Sequence, residues 1–441
     1  MLSRKQISRW QGEPMSELFR RRRKTVEAPK SPFGSALLLL VVIGSLLVFF
    51  SPWQTEEEKR ERMTEKVMGK VREAEERQPA APAGPRLVER RKTIAGRTLR
   101  LKFVTADLER VDRAVSDGYA RIESLLAALD PAAPTGELAL INREAAAGPA
   151  KADDRLFAIV ASGLDLSAKL DPYFDISLRP FFELWNFDRE KPVVADPLVV
   201  ESRQSLVGHA LVKLDSDART IRFARQGMGL DLQPLYGGFV LAEMKRTLEE
   251  AGVEHYFVFY GADSICKGDE FGQEWRVGLQ HPRKAVMRYG VVAPKGGAVM
   301  VVNDYERGFV DEGFHYHPVL DPKSGGPIPH AMSAAIVGPD PVVGEALAYA
   351  VFAAGPKHFE DVVKRMPGYE AALMDRFGKV GQTPGMAAYL TVEEGPSLDI
   401  PSLGQSRQQP QAGDDPGRAD GAPAEAPLPE KGRAGEQPEK Q

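Results

Sequence analysis

The sequence predicts an α+β protein, in which a mixed α/β domain follows an N-terminal transmembrane helix. Two observations carry this prediction. An uncharged apolar run fills residues 33–50, and strand-like and helix-like patterns are mixed between residues 88 and 396. A hydrophobic content of 43% and a charged content of 27% are typical of a globular chain. We therefore expect one folded domain of residues 88–396.

The apolar run reads FGSALLLLVVIGSLLVFF and contains no charged residue. A helix needs about 20 apolar residues to cross a bilayer, so we predict a transmembrane helix at residues 33–52. A buried core helix or a cleaved signal peptide are the alternatives. The flank before the run is long for a signal peptide, and no small-x-small cleavage site follows it. Both points favour a spanning helix.

Charges on the two sides of the run predict its orientation. A basic run at Arg20–Lys24 precedes it, whereas Glu56, Glu57 and Glu58 follow it. Cytoplasmic flanks carry the excess of Lys and Arg, so residues 1–32 should be cytoplasmic and the domain should lie outside, in the periplasm of a bacterium. The expected location is the inner membrane, as a single-pass protein. The lipid bilayer is then one partner, because basic flanks attract anionic headgroups.

The net charge of −4 argues against nucleic acid as a partner. Within residues 53–87, the sequence predicts a charged helix at residues 55–77 and a Pro- and Ala-rich linker at residues 78–85. Residues 397–441 are rich in Pro, Gly, Gln and Glu and lack apolar periodicity. Such a composition buries too little apolar surface to fold, so we predict a disordered tail.

Local patterns predict the first and last long helices of the domain. Thr98–Val104 alternates like a strand, and Thr105 is the expected cap of the helix that follows. Near the other end, Asp340 as cap and Pro341 as first residue predict a helix that runs to about Ala354.

A middle helix is predicted at Gly238–Ala251, where Gly252 would end it. The apolar segment His255–Gly261 then predicts a buried strand. Further strands are expected at Trp275–Gln280, Gly290–Ala293 and Ala298–Val302. The single cysteine, Cys266, excludes an internal disulfide and is expected to be a small core residue.

Three stretches of the domain carry longer motifs. The first is YFDISLRP at Tyr173–Pro180, followed by LWNF at Leu184–Phe187. The second is WRVGLQHPR at Trp275–Arg283. The third is DYER at Asp304–Arg307, followed by HPVLDPKSG at His317–Gly325. In this order the stretches resemble the FAD:protein FMN transferases, the ApbE family, whose patterns include Phe-Asp followed by Leu-Trp-x-Phe, Trp-Arg-Val/Ile-Gly, and Asp-Tyr-Glu-Arg.

The resemblance implies a fold, an activity and a site. Members of this family split FAD and transfer its FMN half to a Thr or Ser of a target protein, typically an extracytoplasmic part of a membrane redox complex. FAD and Mg²⁺ are therefore the implied cofactors, and a flavinylated protein or a membrane redox complex is the implied partner. By position, the resemblance implies Glu345 as a metal ligand. The residues it implies for cofactor binding are Asp175, Asp231, Gly238, Asp263, His317, Asp321 and Gly325. Asp175, Asp321 and Gly325 could equally hold turns.

The chain departs from the family pattern where phosphates and metal should be held. The pattern Asp-Leu-Gly-Gly-Ile-Ala-Lys has Gln233 and Pro234 at its two glycines and Gly237 at its lysine. Proline offers no backbone donor, and the cation is missing. The pattern Asp-x-x-x-Thr, which implies metal ligands, is here Glu345 and Tyr349. Glu345 can still bind a hard cation, whereas Tyr349 is best interpreted as a packing residue.

Other positions depart in the same way. The family's Met-Gly-Thr is Ala95-Gly96-Arg97, its Thr-Ser-Gly is Val301-Val302-Asn303, its Gly-Gly-Asp is Gly261-Ala262-Asp263, and Pro318 replaces the second residue of a His-His pair. Two functions remain open. The favoured one is a catalytically degenerate protein, a structural or flavin-binding partner of a membrane complex. The alternative is an active Mg²⁺-dependent FAD:protein FMN transferase. The sequence assigns no catalytic residue.

Overall fold

The computed structural model describes residues 63–66, 68, 84–185, 187 and 190–393. Residues 63–66 and 68 are helical and lie within the predicted charged helix at 55–77. The predicted basic segment, transmembrane helix and tail lie outside the described residues. Among the residues that are described, no helix is both long and apolar enough to cross a membrane.

The domain interleaves strands with helices. The helices are α1 (Leu108–Leu129), α2 (Glu137–Glu144), α3 (Asp154–Leu170), α4 (Arg179–Trp185), α5 (Pro197–Arg203), α6 (Tyr236–Glu250) and α7 (Pro341–Val363). Short 3-10 helices cover Gln204–Leu206, His209–Leu211, Gln233–Leu235 and Pro384–Ala388.

The strands of the first half are β1 (Arg86–Ile94), β2 (Arg97–Thr105), β3 (Ala150–Lys151), β4 (Val212–Asp215), β5 (Thr220–Phe223), β6 (Tyr256–Tyr260) and β7 (Asp263–Lys267). Those of the second half are β8 (Val277–Gln280), β9 (Arg288–Val292), β10 (Ala298–Asn303), β11 (Phe309–Asp311), β12 (Phe314–Tyr316), β13 (Ala331–Gly338), β14 (Glu370–Asp375), β15 (Val380–Gln382) and β16 (Leu390–Val392). These elements run from Arg86 to Val392, against the expected domain bounds of 88–396.

A central antiparallel sheet organises the described part of the chain. Its eight strands follow the order β1-β2-β6-β7-β10-β13-β14-β15. Smaller sheets have the orders β16-β9-β8 and β3-β5-β4, and β11 pairs with β12 as a hairpin. Helices and an antiparallel sheet thus form one mixed α/β fold, which confirms the predicted class of the domain.

Strand β6 shows why the apolar run at His255–Gly261 has no polar alternation. Tyr256, Val258 and Tyr260 share a core with α1 and α6 on one face of the sheet. Phe257 and Phe259 face the opposite side and pack with β8, β9 and β16. Because successive side chains of a strand point to opposite faces, a strand covered on both sides reads as a continuous apolar run.

The predicted helix caps were right in two cases and wrong in one. Asp340 accepts hydrogen bonds from the backbone N–H groups of Val342 and Val343, as predicted. Gly252 has φ +67° and follows the end of α6, as predicted. The first helix, however, is capped by Asp107, whose side chain accepts from the N–H of Arg110 at 3.0 Å. The Thr105 hydroxyl instead accepts from the Asp107 N–H, so it braces the cap rather than forming it.

Two helix bounds also differ from expectation. Helix α6 begins at Tyr236, two residues before the predicted start, because the short turn Gln233–Leu235 leads directly into it. Helix α7 continues past the predicted end, to Val363, across a kink at Gly355, where φ is +65°. Pro356 follows the kink, and a proline inside a helix removes one backbone hydrogen bond, so the helical pattern is interrupted there.

Candidate active site

A pair of buried carboxylates lies where three elements of the domain meet. Asp263 is the first residue of β7, and Glu345 lies in the second turn of α7. Both side chains are buried, 3% and 5% exposed. The start of α6 is the third element, since a Cβ on Gly237 would lie 2.5 Å from Oδ2 of Asp263 and 2.8 Å from Oε1 of Glu345. The two carboxylates therefore approach one point, the vacant side-chain position of Gly237.

Glu345 is held by the first backbone groups of α6. The N–H of Gly238 donates to its Oε2 at 2.5 Å, and the N–H of Gly237 donates to its Oε1 at 3.3 Å. A helix N-terminus favours an anion, because its first N–H groups are unpaired and its dipole is positive there. Burial and the neighbouring Asp263 oppose this and raise the pKa of Glu345 well above its usual range. The carboxyl is consequently hard to ionise.

Asp263 is fixed in the same way from the neighbouring strand. Its Oδ1 accepts from the Val301 N–H of β10 at 2.8 Å. Burial raises the pKa of Asp263 to about 7, although the Arg97 guanidinium and the Val301 hydrogen bond act in the opposite direction. Two like charges in one buried site disfavour each other, so the pair holds less than two full negative charges near neutral pH.

The positive charge beside this pair comes from Arg97, the first residue of β2. Its Nη1 is 3.9 Å from Oδ2 of Asp263, and its Nη2 donates to Oε2 of Glu306 at 3.1 Å. Neither Arg97 nor Glu306 is among the predicted site residues. Each could have been found from the sequence, because Arg97 replaces a threonine of the family pattern and Glu306 belongs to the retained Asp-Tyr-Glu-Arg motif.

Asp231 lies just before α6 and is 4% exposed. Its Oδ1 accepts from the Gln233 N–H at 2.9 Å. Burial raises its pKa to about 6, while that hydrogen bond and the charges of Arg179 and Arg307 oppose the rise. Gln233 stands at the first of the two glycines of the family pattern. Its backbone N–H is therefore already bonded to Asp231.

A small cleft lies near this centre, since Tyr349, one turn after Glu345 on α7, is part of its lining. Its lining is Tyr173, Phe174, Asp175, Leu178, Phe182, Pro234, Pro318, Leu320, Pro322 and Tyr349. The lining includes three of the positions at which the chain departs from the family pattern, Pro234, Pro318 and Tyr349. The tilted ring of Phe174 lies 6.4 Å from that of Tyr349. The cleft wall is thus mainly aromatic and proline.

Asp175 and His317 were predicted to bind cofactor, and the structure gives both of them internal partners. The Oδ1 of Asp175 accepts from the N–H and hydroxyl of Ser177, and its Oδ2 accepts from the N–H of His209. Nε2 of His317 lies 2.9 Å from the Ile328 carbonyl oxygen, to which it can only donate. Burial lowers the pKa of His317 to about 4, so the ring is neutral at pH 7. These contacts anchor loops.

Asp321 and Gly325 form one tight turn. The carboxylate of Asp321 accepts from the Lys323 and Ser324 N–H groups, and the Gly325 N–H donates to the Asp321 carbonyl at 2.8 Å. Gly325 has φ +75°, and a Cβ there would lie 2.5 Å from the Phe181 ring. The Trp185 indole donates to the Gly325 carbonyl at 2.8 Å. Asp321 holds this turn through its carboxylate and carbonyl, and Gly325 holds it through its backbone conformation, which corresponds to the turn interpretation that the sequence left open.

Gly238, the last predicted cofactor residue, lies against the first turn of α7. A Cβ there would lie 2.7 Å from the Cα of Val342 and 2.8 Å from the Pro341 carbonyl oxygen. The missing side chain thus lets the starts of α6 and α7 meet. The structure therefore brings Gly238, Asp263 and Glu345 together and leaves Asp321 and Gly325 in a separate turn.

The donor set at Glu345 does not fit the divalent cation that the resemblance implies. Among the described residues, no group of three or more His, Cys, Asp or Glu side chains is arranged to hold a metal ion. Both oxygens of Glu345 face backbone N–H donors, and a guanidinium lies beside Asp263. Mg²⁺ requires oxygen ligands in near-octahedral geometry and binds poorly next to a fixed positive charge.

Comparison with known proteins agrees with this fold. The model of the family described as ApbE matches residues 96–373, more than half of the 441 residues. The chain belongs to the ApbE family. The match begins at Gly96, immediately before Arg97, and ends within β14, so every predicted site residue lies inside the ApbE-family region.

Curated relatives within the ApbE family are moderately similar. The chain is 26% identical to the FAD:protein FMN transferase of Treponema pallidum over 250 residues, which is 53% of this chain and 69% of that protein. It is 26% identical to the FAD:protein FMN transferase of Rhodobacter capsulatus over 263 residues, 59% of this chain but 50% of that protein. The chain thus spans about half the length of the second relative.

Among solved structures, the ApbE protein of Thermotoga maritima superposes with a TM-score of 0.63. The match covers 69% of this chain and 99% of that one, at 23% identity. This likeness shows a shared fold.

Proposed function

We propose that this ApbE-family protein is catalytically degenerate and acts as a structural or flavin-binding partner of a membrane complex. One observation carries the proposal. Pro234, Pro318 and Tyr349, three positions at which the chain departs from the family pattern, line the same cleft. Substitutions that meet at one cleft change what that cleft can bind.

The replaced glycines alter how a phosphate could be held. Glycine-rich loops bind phosphates because their backbone N–H groups are open and no side chain intervenes. Here Pro234 has no N–H, and the N–H of Gln233 donates to Asp231. Two of the donors that the family pattern would offer to a pyrophosphate are therefore absent or already bonded.

The replaced lysine removes a mobile cation from the same place. The vacant side-chain position of Gly237 points at Asp263 and Glu345, so α6 contributes no charge there. Pyrophosphate cleavage needs positive charge on the phosphates, and such electrostatic stabilisation is worth about 3 kcal/mol or more per group. The loss of this lysine supports loss of catalysis. So does the set of side chains around Glu345, which does not fit Mg²⁺.

The aromatic wall supports retained flavin binding. Tyr173, Phe174, Phe182 and Tyr349 line the cleft, and planar rings pack favourably against aromatic side chains. A flavin-binding partner and a purely structural partner are distinguished by titrating FMN into the purified chain and following flavin fluorescence. Saturable quenching that Phe174→Ala weakens supports the binding role. No quenching supports the structural role.

The decisive experiment measures catalysis directly. The full-length protein is incubated with FAD, Mg²⁺ and a threonine-bearing target peptide, and released AMP and FMN-peptide are quantified. We expect neither product. AMP release that is abolished both by EDTA and by Glu345→Ala would overturn the proposal, since it would show that the altered site works.

The alternative is an active Mg²⁺-dependent FAD:protein FMN transferase that modifies Thr or Ser of membrane redox proteins. The buried carboxylates favour it, because the retained Asp263 and Glu345, which replaces an aspartate of the pattern, meet at one buried point. The curated relatives of Treponema pallidum and Rhodobacter capsulatus carry that activity in their names. The AMP assay distinguishes the two functions, and AMP formation in that assay would favour this one.

The location is a further part of the proposal. The uncharged run at residues 33–50 and its basic N-terminal flank support an inner-membrane anchor with the domain in the periplasm. Protease added to spheroplasts should digest the domain while residues 1–32 stay protected. A domain that becomes accessible only after lysis would contradict this orientation.

A further inference from the structure

The cation beside the buried carboxylates comes from strand β2, whereas the family pattern has its lysine at the start of helix α6. That pattern has lysine where the chain has Gly237, and threonine where it has Arg97. In the structure, the Arg97 guanidinium lies 3.9 Å from the same Asp263 oxygen that a Gly237 side chain would meet. One position has lost a positive charge and another, close in space, has gained one.

Arg97 is held in this place by a second departure from the pattern. Its Nη2 donates to Glu306, and Glu306 is fixed by Asn303, whose Nδ2 donates to Oε1 at 3.0 Å and whose Oδ1 accepts from the Glu306 N–H. Asn303 stands where the family pattern has glycine. Two replaced residues, Arg97 and Asn303, are therefore linked through a retained one.

Packing further restricts the guanidinium. It lies 5.8 Å from the centre of the Tyr260 ring, within the range of a cation–π contact. A Cβ on Gly261 would lie 3.6 Å from Cδ of Arg97, so the arginine stem runs over this glycine. These contacts on β6 and the turn after it keep the side chain beside Asp263.

We infer that the Arg97 guanidinium takes the place of a divalent cation beside Asp263 and Glu345, so that this centre is held together without metal and excludes Mg²⁺. Two buried carboxylates require a nearby positive charge or a shared proton. A fixed guanidinium supplies that charge and repels a second cation. The Glu345 oxygens, which face the N–H groups of Gly237 and Gly238, complete a centre that needs no ion.

The inference goes beyond the proposed loss of catalysis, because it states what replaced the metal. Ion binding to the purified full-length protein tests it without any activity. Mn²⁺ binding is measured by electron paramagnetic resonance in the wild type, in Arg97→Thr and in Arg97→Thr/Asp263→Asn. We expect no binding at millimolar Mn²⁺ in the wild type. Arg97→Thr should bind at least about tenfold more tightly, because one adjacent positive charge is worth about that factor.

Two controls define the origin of that binding. Arg97→Lys keeps the charge and should stay as weak as the wild type. Arg90→Thr removes an arginine from an exposed ion pair with Asp112, away from the centre, and should also change nothing. The double variant should lose the gain, since Asp263→Asn removes a ligand charge while its Oδ1 can still accept from the Val301 N–H.

Thermal unfolding covers the case in which Arg97→Thr folds poorly. A ligand that binds only the folded state raises the melting temperature. MgCl₂ should therefore raise the melting temperature of Arg97→Thr but not that of the wild type. Wild-type Mn²⁺ binding that Asp263→Asn abolishes would overturn the inference. So would a folded Arg97→Thr protein that neither binds Mn²⁺ nor is stabilised by Mg²⁺.

Discussion

The turn at Asp321–Gly325 and the buried centre at Gly237 were predicted to belong to one site, yet they differ in how closely they follow the family pattern. In the turn, Trp185, Asp321 and Gly325 match the pattern and contact one another directly. In the centre, Gly237, Arg97 and Asn303 all depart from it while Asp263, Glu306 and Asp231 remain. The turn therefore keeps its pattern residues, whereas the centre keeps these acidic residues and has different residues around them.

The difference follows from how each region tolerates substitution. A backbone with positive φ against an aromatic ring admits only glycine, as at Gly325. A charge, in contrast, can be supplied from any neighbouring element that reaches the same point, because Coulomb interactions depend on distance and not on chain position. The centre can change its residues and remain neutralised, whereas the turn cannot.

The largest expected effect is on the turn. Gly325→Ala should lower the free energy of unfolding by about 3 kcal/mol, because it combines a positive-φ penalty with a Cβ placed 2.5 Å from the Phe181 ring. Gly96→Ala is the matched control, since its φ is +77° and a Cβ there meets nothing within 4 Å. It should cost only about 1 kcal/mol. Urea unfolding measures both, and equal losses would show that packing does not constrain the turn.

A smaller effect is expected from pH acting on the buried centre. The folded-state pKa of Asp263 is about 7, above its usual 3.8. As pH rises from about 4 to about 7, the unfolded chain loses its proton first, so the free energy of unfolding falls. Asp263→Asn removes this decline and lowers repulsion on Glu345. Between about pH 4 and about pH 7, the free energy of unfolding of Asp263→Asn should fall by about 2 kcal/mol less than that of the wild type.

Other buried groups titrate in the same range, so the comparison must be between variant and wild type. Asp231, with a pKa of about 6, adds to the decline, whereas His317, with a pKa of about 4, acts in the opposite direction. Both are unchanged by Asp263→Asn and cancel in the difference. Parallel stability curves for the two proteins would mean that the pKa of Asp263 is not raised in the folded state.

The smallest effect is expected at the surface. Arg90 and Asp112 form a two-bond ion pair at 2.8 and 3.0 Å, but both side chains are exposed. Such pairs contribute about 0.5 kcal/mol, because water screens them. Arg90→Ala should therefore change the free energy of unfolding, measured with urea, by no more than that amount. A loss comparable to that of Gly325→Ala would show that charges outside the centre matter as much as packing does.

The sequence by itself determined the α+β class, the order of most elements and the family. Strand and helix periodicities, and caps such as Asp340, are local and can be detected without tertiary contacts. The caps also show the limit. Thr105 and Asp107 are both good capping residues two positions apart, and only the folded backbone shows that the Asp107 side chain accepts the Arg110 N–H.

Only the tertiary structure decided how the candidate site is built. The sequence indicated that Gly237 had lost a cation and that Arg97 had replaced a threonine, as two separate departures. Their proximity depends on β2, β7 and the start of α6 meeting, which no local pattern encodes. In the same way, Pro234, Pro318 and Tyr349 are far apart in the chain and share one cleft. Long-range packing sets these distances, and electrostatics at such distances sets the chemistry.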